Sequence, residues 1–424
     1  MTGDSHGAPI APRLAAAWVA RGLREAGHRA LFAGGCVRDS LLGHEAADYD
    51  VATGATPDEI RRVFPRAIGV GESFGVMLVR HGGRSVEVAT FRADGSYTDG
   101  RRPDAVRFSD DREDALRRDF TINGMFEDPE TGEIVDHVGG RADLAAGILR
   151  AIGTPEDRLR EDRLRALRAA RFAARFSLKI DPATEAAVRR FAPDLAAVSR
   201  ERIGNEVRRM LAHPSRARAV ELVESLALGA SVLAERAERV DHARVAGLAP
   251  GAGVEEALAA WMLGRSIAIP DAPSCAGDRP HADVSPARQR RWRDALVLSN
   301  DESDGLAAIL AMRPRIIERW PGGDAAARKR MASGPGFAGA LAVLRAEGNP
   351  VVGDLDLALP SLRAEGLEPA PFVTGDDLVS LGMAPGPSFR PLLERAYDGQ
   401  LNGQFLDRAS ALLALKGWIG QFPG

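Results

Sequence analysis

Asp48 and Asp50 stand two residues apart at the start of an apolar stretch, Val51-Ala-Thr53. Side chains alternate along a strand, so residues i and i+2 share one face. The two carboxylates should therefore point the same way, with Tyr49 opposite. Hard cations such as Mg²⁺ take carboxylate oxygens together with substrate phosphates and water. Two such ions about 3.5–4 Å apart can clamp the attacking and leaving oxygens of a phosphoryl transfer. Just upstream, Leu31-Phe-Ala-Gly-Gly-Cys-Val-Arg-Asp39 runs from an apolar segment through a glycine pair into a short helix over 37–43 that ends at Gly43. Free N–H groups at that helix start, beside Gly34 and Gly35, suit phosphate oxygens. Arg38 would add a charge-assisted donor, or be an ordinary exposed helix arginine. Each piece alone has a plainer reading: two solvated turn carboxylates, or a tight turn at the glycines. Their order and closeness point to a site for a triphosphate and two metal ions.

Three further clusters carry chemistry. Glu87 is an isolated acid in the strand-like Ser85-Val-Glu-Val-Ala-Thr-Phe91, where a charge is costly unless paired or metal-bound. It is either a third carboxylate of the metal site or an edge-strand residue facing water. In Arg117-Arg-Asp-Phe-Thr-Ile-Asn-Gly-Met125, Arg118 as donor and Asp119 as acceptor can hold a phosphate and a hydroxyl. Residues 120–125 are expected to be helical, with Asp119 as the N-cap. Glu161-Asp-Arg-Leu-Arg-Ala-Leu-Arg168 falls in an expected helix over 156–176, where positions three and four apart are neighbours. Asp162 and Arg165 would share a face, as would Glu161 and Arg165. An Asp beside an Arg offers acceptors and donors at one spot and could read a nucleobase edge without a template. On this motif alone a salt-bridged helix face is the better reading. Ser199-Arg-Glu-Arg-Ile-Gly-Asn-Glu206 reads only as a helix start. Cys36 reads as a buried filler, since no partner His lies nearby. Gly69-Val-Gly71-Glu-Ser-Phe-Gly75 has the wrong spacing for a dinucleotide loop.

The elements that must position these residues follow from composition and periodicity. The chain has 424 residues, 45% hydrophobic and 27% charged, with a formal net charge of −3. That length allows two to four domains, and the charge excludes a generally basic nucleic-acid binder, so RNA contact must come from local patches. Two cysteines, Cys36 and Cys275, give neither a disulfide framework nor a zinc motif and suit a reducing cytoplasm. No signal pattern opens the chain, and no apolar run reaches membrane-span length. Residues 13–150 mix short strands with short helices. A helix breaks at Gly27-His-Arg29 before the strand 30–33, and 74–79 with 85–91 form a hairpin around His81-Gly-Gly. Residues 93–104 form a long polar loop of the functional kind. Beyond 157 the pattern is helical, over 182–191, 202–211, 216–226 and much of 254–340. Residues 267–286 read as a surface loop, 351–371 as a break and 374–422 as a last helical section. The fold class expected is α+β.

Taken as a set and in order, these clusters resemble the class II tRNA nucleotidyltransferases (CCA-adding enzymes) and their relatives, the bacterial poly(A) polymerases. The motifs are Gly34-Gly-Cys-Val-Arg-Asp39, Asp48-Tyr-Asp-Val-Ala-Thr53, the 117–125 and 161–165 clusters, and Glu201-Arg-Ile-Gly-Asn-Glu206. Asp136-His-Val-Gly-Gly-Arg-Ala-Asp-Leu144 and Leu149-Arg-Ala-Ile-Gly153 look like that family's connecting segment. The likeness is specific over 31–211; Thr374-Gly-Asp-Asp-Leu378, Pro385-Gly-Pro387 and Asn402-Gly403 look like its tRNA-contacting tail. The resemblance implies a nucleotidyltransferase-type head of mixed sheet and helices over 13–147, then an all-α neck (148–211), body (212–345) and tail (346–424). It implies Mg²⁺ at Asp48 and Asp50, with Glu87 as third acid. Gly34, Gly35 and Arg38 would hold the triphosphate, and Arg118 and Asp119 would check the ribose hydroxyl. Asp162 and Arg165, with Arg168 beyond them, would select C and then A, and the 93–104 loop would switch between them. The implied partners are CTP, ATP and the tRNA 3′ end in the cytoplasm, with no membrane; the oligomeric state stays open. Tyr49 replaces a residue that is commonly aliphatic or Arg and, facing away from the metals, should matter little. Gly124 stands where Ala or Ser is common. A poly(A) polymerase, a CC-only or A-only enzyme, a non-catalytic RNA-binding relative, and a phosphatase with Asp48 as nucleophile are the alternatives.

Overall fold

The computed structural model describes residues 9–94, 106–266 and 284–419. The chain divides into two compact units, one of residues up to Glu206 with Glu221–Ala234, the other of Val207–Val220 with the rest from Glu235 onward.

The first unit opens with α1 (Pro12–Glu25), β1 (Ala30–Ala33), α2 (Gly35–Leu41), β2 (Val51–Thr53), α3 (Pro57–Val63), β3 (Ile68–Gly71), β4 (Val76–His81) and β5 (Arg84–Thr90). There follow β6 (Arg92–Asp94), β7 (Val106–Phe108), α4 (Asp111–Leu116), β8 (Met125–Glu127), β9 (Ile134–Asp136) and α5 (Gly140–Ala145). Seven strands form one mixed sheet in the order β3-β4-β5-β2-β1-β8-β9. The β2–β5 pair is parallel, and its neighbours β4–β5 and β1–β2 are antiparallel. The expected hairpin is present: β4 and β5 meet at Gly82 and Gly83, whose φ values of 55° and 74° suit the primed two-residue turn that matches strand twist. One sheet face, with Phe32, Val51 and Val88, packs against Ala15, Ala16, Val19, Ala20 and Leu23 of α1, all buried. The other carries a core of Leu31, Ala33, Ala52, Phe91, Ala115 and Phe126.

The sheet corrects two local expectations. Asp48-Tyr-Asp50 lies in the segment just before β2, not within it. Residues 120–125 are not a helix: Thr121–Asn123 make one 3₁₀ turn, Asp119 is not its N-cap, and β8 starts at once. The three β8 residues are buried, and sheet pairing satisfies their backbone where a helix could not reach.

The unit continues through β10 (Ile148–Leu149), α6 (Pro155–Glu161), α7 (Arg165–Arg175), β11 (Lys179–Ile180) and α8 (Pro182–Phe191). The expected helix over 156–176 is therefore two. Asp162 ends α6 in extended backbone, φ −145° and ψ 103°. Its carboxylate accepts from the Leu164 N–H at 3.1 Å, a local alternative to the helical ladder of the kind that favours Asp at helix ends.

Next come α9 (Arg200–Leu211), α10 (Arg216–Ser225), α11 (Gly229–Leu233), β12 (Arg239–Val240), α12 (Ala243–Ala246), α13 (Val254–Gly264) and β13 (Arg265–Ser266). The chain ends with α14 (Pro286–Leu296), α15 (Asn300–Arg319), α16 (Ala325–Ser333), α17 (Phe337–Ala346), α18 (Val351–Glu365), α19 (Gly375–Ser380), α20 (Phe389–Leu401) and α21 (Arg408–Ile419). In the second unit Trp261 and Trp292 meet edge to face at 5.5 Å. The expected break over 351–371 is instead α18: Val351, Leu355, Leu359 and Leu362 form one buried stripe at helical spacing. That stripe outweighs Gly353 and the internal Pro360. Val373, Leu378, Leu392, Ala396, Ala411 and Leu415 form the core of the last helices. No described helix is long and apolar enough to cross a membrane.

Candidate nucleotide and metal site

The parallel register of β2 and β5 pairs Val51 with Val88 and Ala52 with Ala89. One step back, Asp50 falls opposite Glu87, and alternation puts both on the face that carries Ala52 and Ala89. β5 lies between β4 and β2, so Glu87 is not on an edge strand. It is an exposed side chain between the buried Val86 and Val88. Asp48 and Asp50 are also solvent-accessible. Around Asp50, the bulk of the surrounding protein, then the charges of Glu87 and Asp48, push the carboxyl pKa up to about 6, against the pull of Arg118. Three carboxylates thus crowd one open patch. Among the described residues no three acid, His or Cys side chains converge into a ready-made metal cage.

Gly34 joins β1 to α2. Its φ of 68° lies in the left-handed region, which only glycine enters freely. Its N–H donates to the Met125 carbonyl at 3.0 Å, and a Cβ there would sit 2.8 Å from Arg118 Nη1. The glycine thus lets the arginine lie against the chain. Gly35 begins α2. Cys36 is buried with its Sγ 3.4 Å from the Ala33 carbonyl, and burial pushes the thiol up to about 11. It is protonated packing, not a nucleophile. Arg38 is not an exposed helix arginine. It is buried, donates to Asn123 Oδ1 and to Asp39 Oδ1 (2.7 and 2.9 Å), and lies 4.2 Å over the Phe176 ring.

Asp114 receives both neighbours of the second motif. Arg117 donates to it at 2.8 Å, and Arg118 at 2.8 and 3.1 Å. Asp119 is buried, with Oδ1 accepting from the Phe120 N–H (2.8 Å) and Asn123 Nδ2 (3.0 Å). Its Oδ2 accepts from Arg168 Nε (2.9 Å) and Nη2 (2.5 Å). Burial opposes the charge, but Arg168 and Asn123 hold the carboxyl at about 2. Four donors fill the four or so acceptor positions of a carboxylate. Arg38, Asn123, Asp119 and Arg168 therefore form one hydrogen-bonded chain from the glycine turn to α7.

Asp162 and Arg165 do not pair. Arg165 donates to Glu161 (2.5 Å) and to the carbonyls of Arg158 (2.9 Å) and Arg117 (3.1 Å). Asp162 Oδ2 instead accepts from Arg202 at 2.7 Å. Asp114, Asn123 and Arg202 are the participants that sequence reasoning missed. Asn123 and Arg202 lie inside quoted motifs, so the residues were visible and their partners were not. Of the 93–104 loop, residues 95–104 lie outside the described residues, as does Cys275.

Residues 30–150 match the family described as "Poly A polymerase head domain", and 177–237 the family "Probable RNA and SrmB- binding site of polymerase A". A CCA-adding enzyme of Geobacillus stearothermophilus is 43% identical over 209 residues, 49% of this chain and 52% of that protein. One of Geobacillus thermodenitrificans is 40% identical over 270 residues, 59% and 66% of the two chains. The chain thus spans about half to two thirds of the length of these curated relatives. The structure of Bacillus stearothermophilus CCA-adding enzyme in complex with CTP superposes with a TM-score of 0.72 at 28% identity, covering 97% of this chain and 100% of that one. Thermotoga maritima CCA-adding enzyme complexed with tRNA superposes at 0.69 and 18% identity, over 95% and 94%, a likeness of fold.

Proposed function

We propose, from the match of residues 30–150 to the poly(A) polymerase head-domain family, that this chain adds C, C and A to the 3′ end of tRNA from CTP and ATP, releasing diphosphate. The observation that carries this is the placement of Asp50 opposite Glu87 on an open sheet face, with Asp48 adjacent and Arg118 beside the Gly34 turn. In the reaction the terminal tRNA hydroxyl oxygen attacks the α-phosphorus, the bond to the bridging oxygen breaks, and diphosphate departs. The protein's share is positioning and charge.

Asp48, Asp50 and Glu87 fit divalent cations. They are hard oxygen donors whose mutual repulsion, visible at Asp50, a cation would relieve. Bound there, Mg²⁺ would make the attacking hydroxyl more acidic and stabilise charge on the leaving diphosphate. Gly34, Gly35 and Arg118 supply the open backbone and guanidinium beside the phosphates. Arg38 supports them from beneath through Asn123. With its acceptor positions filled, Asp119 holds Arg168 in place and leaves hydroxyl contact to the donors around it. Asp162 and Arg165, each fixed by a separate partner, present a carboxylate and a guanidinium as readers of the nucleobase edge. We assign 13–147 to the catalytic head, 148–211 to the neck, 212–345 to the body and 346–424 to the tRNA-contacting tail. The cytoplasm is the setting in which the Cys36 thiol stays reduced.

The test is product length on tRNA transcripts ending before C, after C and after CC, with Mg²⁺ and all four nucleotides. Stops at CCA are expected. A long adenosine ladder would make the chain a poly(A) polymerase, and a stop at CC, or growth only from CC, a split-activity enzyme. No extension would leave an RNA-binding relative.

A further inference from the structure

The residue between the two aspartates has work of its own. Among the described residues, 45–49 make no backbone–backbone hydrogen bond; on one side His44 N–H bonds to the Asp39 carbonyl, and on the other Ala33 N–H reaches the Asp50 carbonyl at 3.0 Å. The backbone that carries Asp48 and Tyr49 is therefore tied at its ends, with Asp50 held through its own carbonyl. Between those ends the buried Ala46 and the half-buried Tyr49 attach it. Alternation sends Tyr49 to the sheet face opposite the carboxylates. There its ring meets buried Phe32 edge to face, with centroids 5.1 Å apart. The guanidinium of Arg13 lies 5.6 Å from the Tyr49 ring and 5.2 Å from the Phe32 ring. Arg13 is itself held by an ion pair with Glu127, a buried residue directly across the ladder from Phe32. Aromatic pairs and cation–π contacts favour the arrangement that keeps them, and here that arrangement fixes the backbone at Tyr49.

We propose, on the basis of the cation site read above, that Tyr49 is a positioning residue. Clamped by Phe32 and Arg13 on one sheet face, it sets the spacing of Asp48 and Asp50 on the other. An aliphatic residue at 49 would fill space but offer Arg13 no ring face. The neighbouring residues Arg13, Phe32 and Glu127 make this a built clamp, so the expectation that the middle residue matters little gives way.

The experiment is Mn²⁺ binding to the full chain, followed by electron paramagnetic resonance without RNA or nucleotide, alongside the Mg²⁺ dependence of CTP addition. Variants Tyr49→Ala, Tyr49→Phe, Arg13→Met and Asp50→Asn are compared with wild type. Supporting partners of metal ligands, when removed, typically weaken binding by about 10–100-fold. Tyr49→Ala should weaken Mn²⁺ binding and raise the Mg²⁺ midpoint by about 10-fold, with the CTP KM little changed. Tyr49→Phe keeps the ring but loses the hydroxyl contact to Arg13, so it and Arg13→Met should both fall between wild type and Tyr49→Ala, and both serve if Tyr49→Ala does not fold. Asp50→Asn with lost binding and Tyr49→Ala with wild-type binding would overturn the clamp alone. Asp50→Asn with wild-type binding would overturn the cation site on which the clamp depends.

Discussion

The pair joining Asp119 to Arg168 gives the sharpest quantitative prediction. Arg168→Met keeps an aliphatic chain near Phe172 while removing two hydrogen bonds, at 2.9 and 2.5 Å, from a buried carboxylate. The Asp119 carboxyl sits at about 2 against an ordinary 3.8. At about 1.4 kcal/mol per pKa unit, that depression is worth roughly 2.5 kcal/mol at neutral pH. Breaking a fully buried pair costs about 3–5 kcal/mol. Arg168 keeps 30% of its side chain exposed, so water softens the loss, and about 2–4 kcal/mol is expected. In a unit of this size that lowers Tm by roughly 5–12 °C. The pH dependence has a definite sign. Because the folded-state pKa lies below the unfolded one, the stabilisation is complete above the ordinary Asp range and is lost as pH falls from about 4 towards 2. In the variant the carboxyl, still buried but without its cation, titrates higher. The stability gap between wild type and Arg168→Met should therefore be widest near neutrality and narrow as pH falls from about 6 to 3. Urea unfolding at a series of pH values measures it, and Asp119→Asn in the Arg168→Met background should recover part of the loss. A gap below about 0.5 kcal/mol at pH 7, or one that stays constant down to about pH 3, would refute the assignment of Asp119 as a buried charge held by Arg168.

Three shorter predictions accompany it. Asp48→Ala or Asp50→Ala should abolish nucleotide addition with urea unfolding at neutral pH no weaker than wild type, since each removes a charge from a repelling cluster; normal turnover by either would sink the metal assignment. Asp162→Ala should blur CTP against ATP choice, and Arg202→Ala, which frees the Asp162 carboxylate from its 2.7 Å bond, should do the same. A competition assay with both nucleotides reads this, and unchanged selection by Arg202→Ala would show that the bond sets nothing. Gly34→Ala adds a Cβ at φ 68° and 2.8 Å from Arg118 Nη1. It should cost about 1–3 kcal/mol by backbone strain and raise the nucleotide KM, and a wild-type KM with wild-type stability would contradict the close approach.

Local rules settled a good deal from the sequence alone. The Gly82-Gly83 hairpin, the break at Gly27 and the helix over 182–191 rest on turn chemistry and side-chain periodicity. These involve neighbours within a few residues, so a linear reading captures them. Partner choice across the chain was a different matter. Asp162 turned from Arg165, three residues away, to Arg202, forty residues on, because its own hydrogen bond to the Leu164 N–H broke the helix that would have aligned the first pair. Glu87 became an inner-strand acid opposite Asp50 only because β2 and β5 pair in parallel, and strand order is not written in either strand. Arg38 and Asp119 were legible as charges, but their burial and their meeting through Asn123 were not. The helix over 351–365 was hidden by a glycine and a proline, and it forms because four apolar side chains find a core to enter. Sequence determined which groups could do chemistry and which local shapes they favour. The tertiary structure decided which charges are desolvated and who neutralises them, because those energies depend on residues brought together from distant parts of the chain.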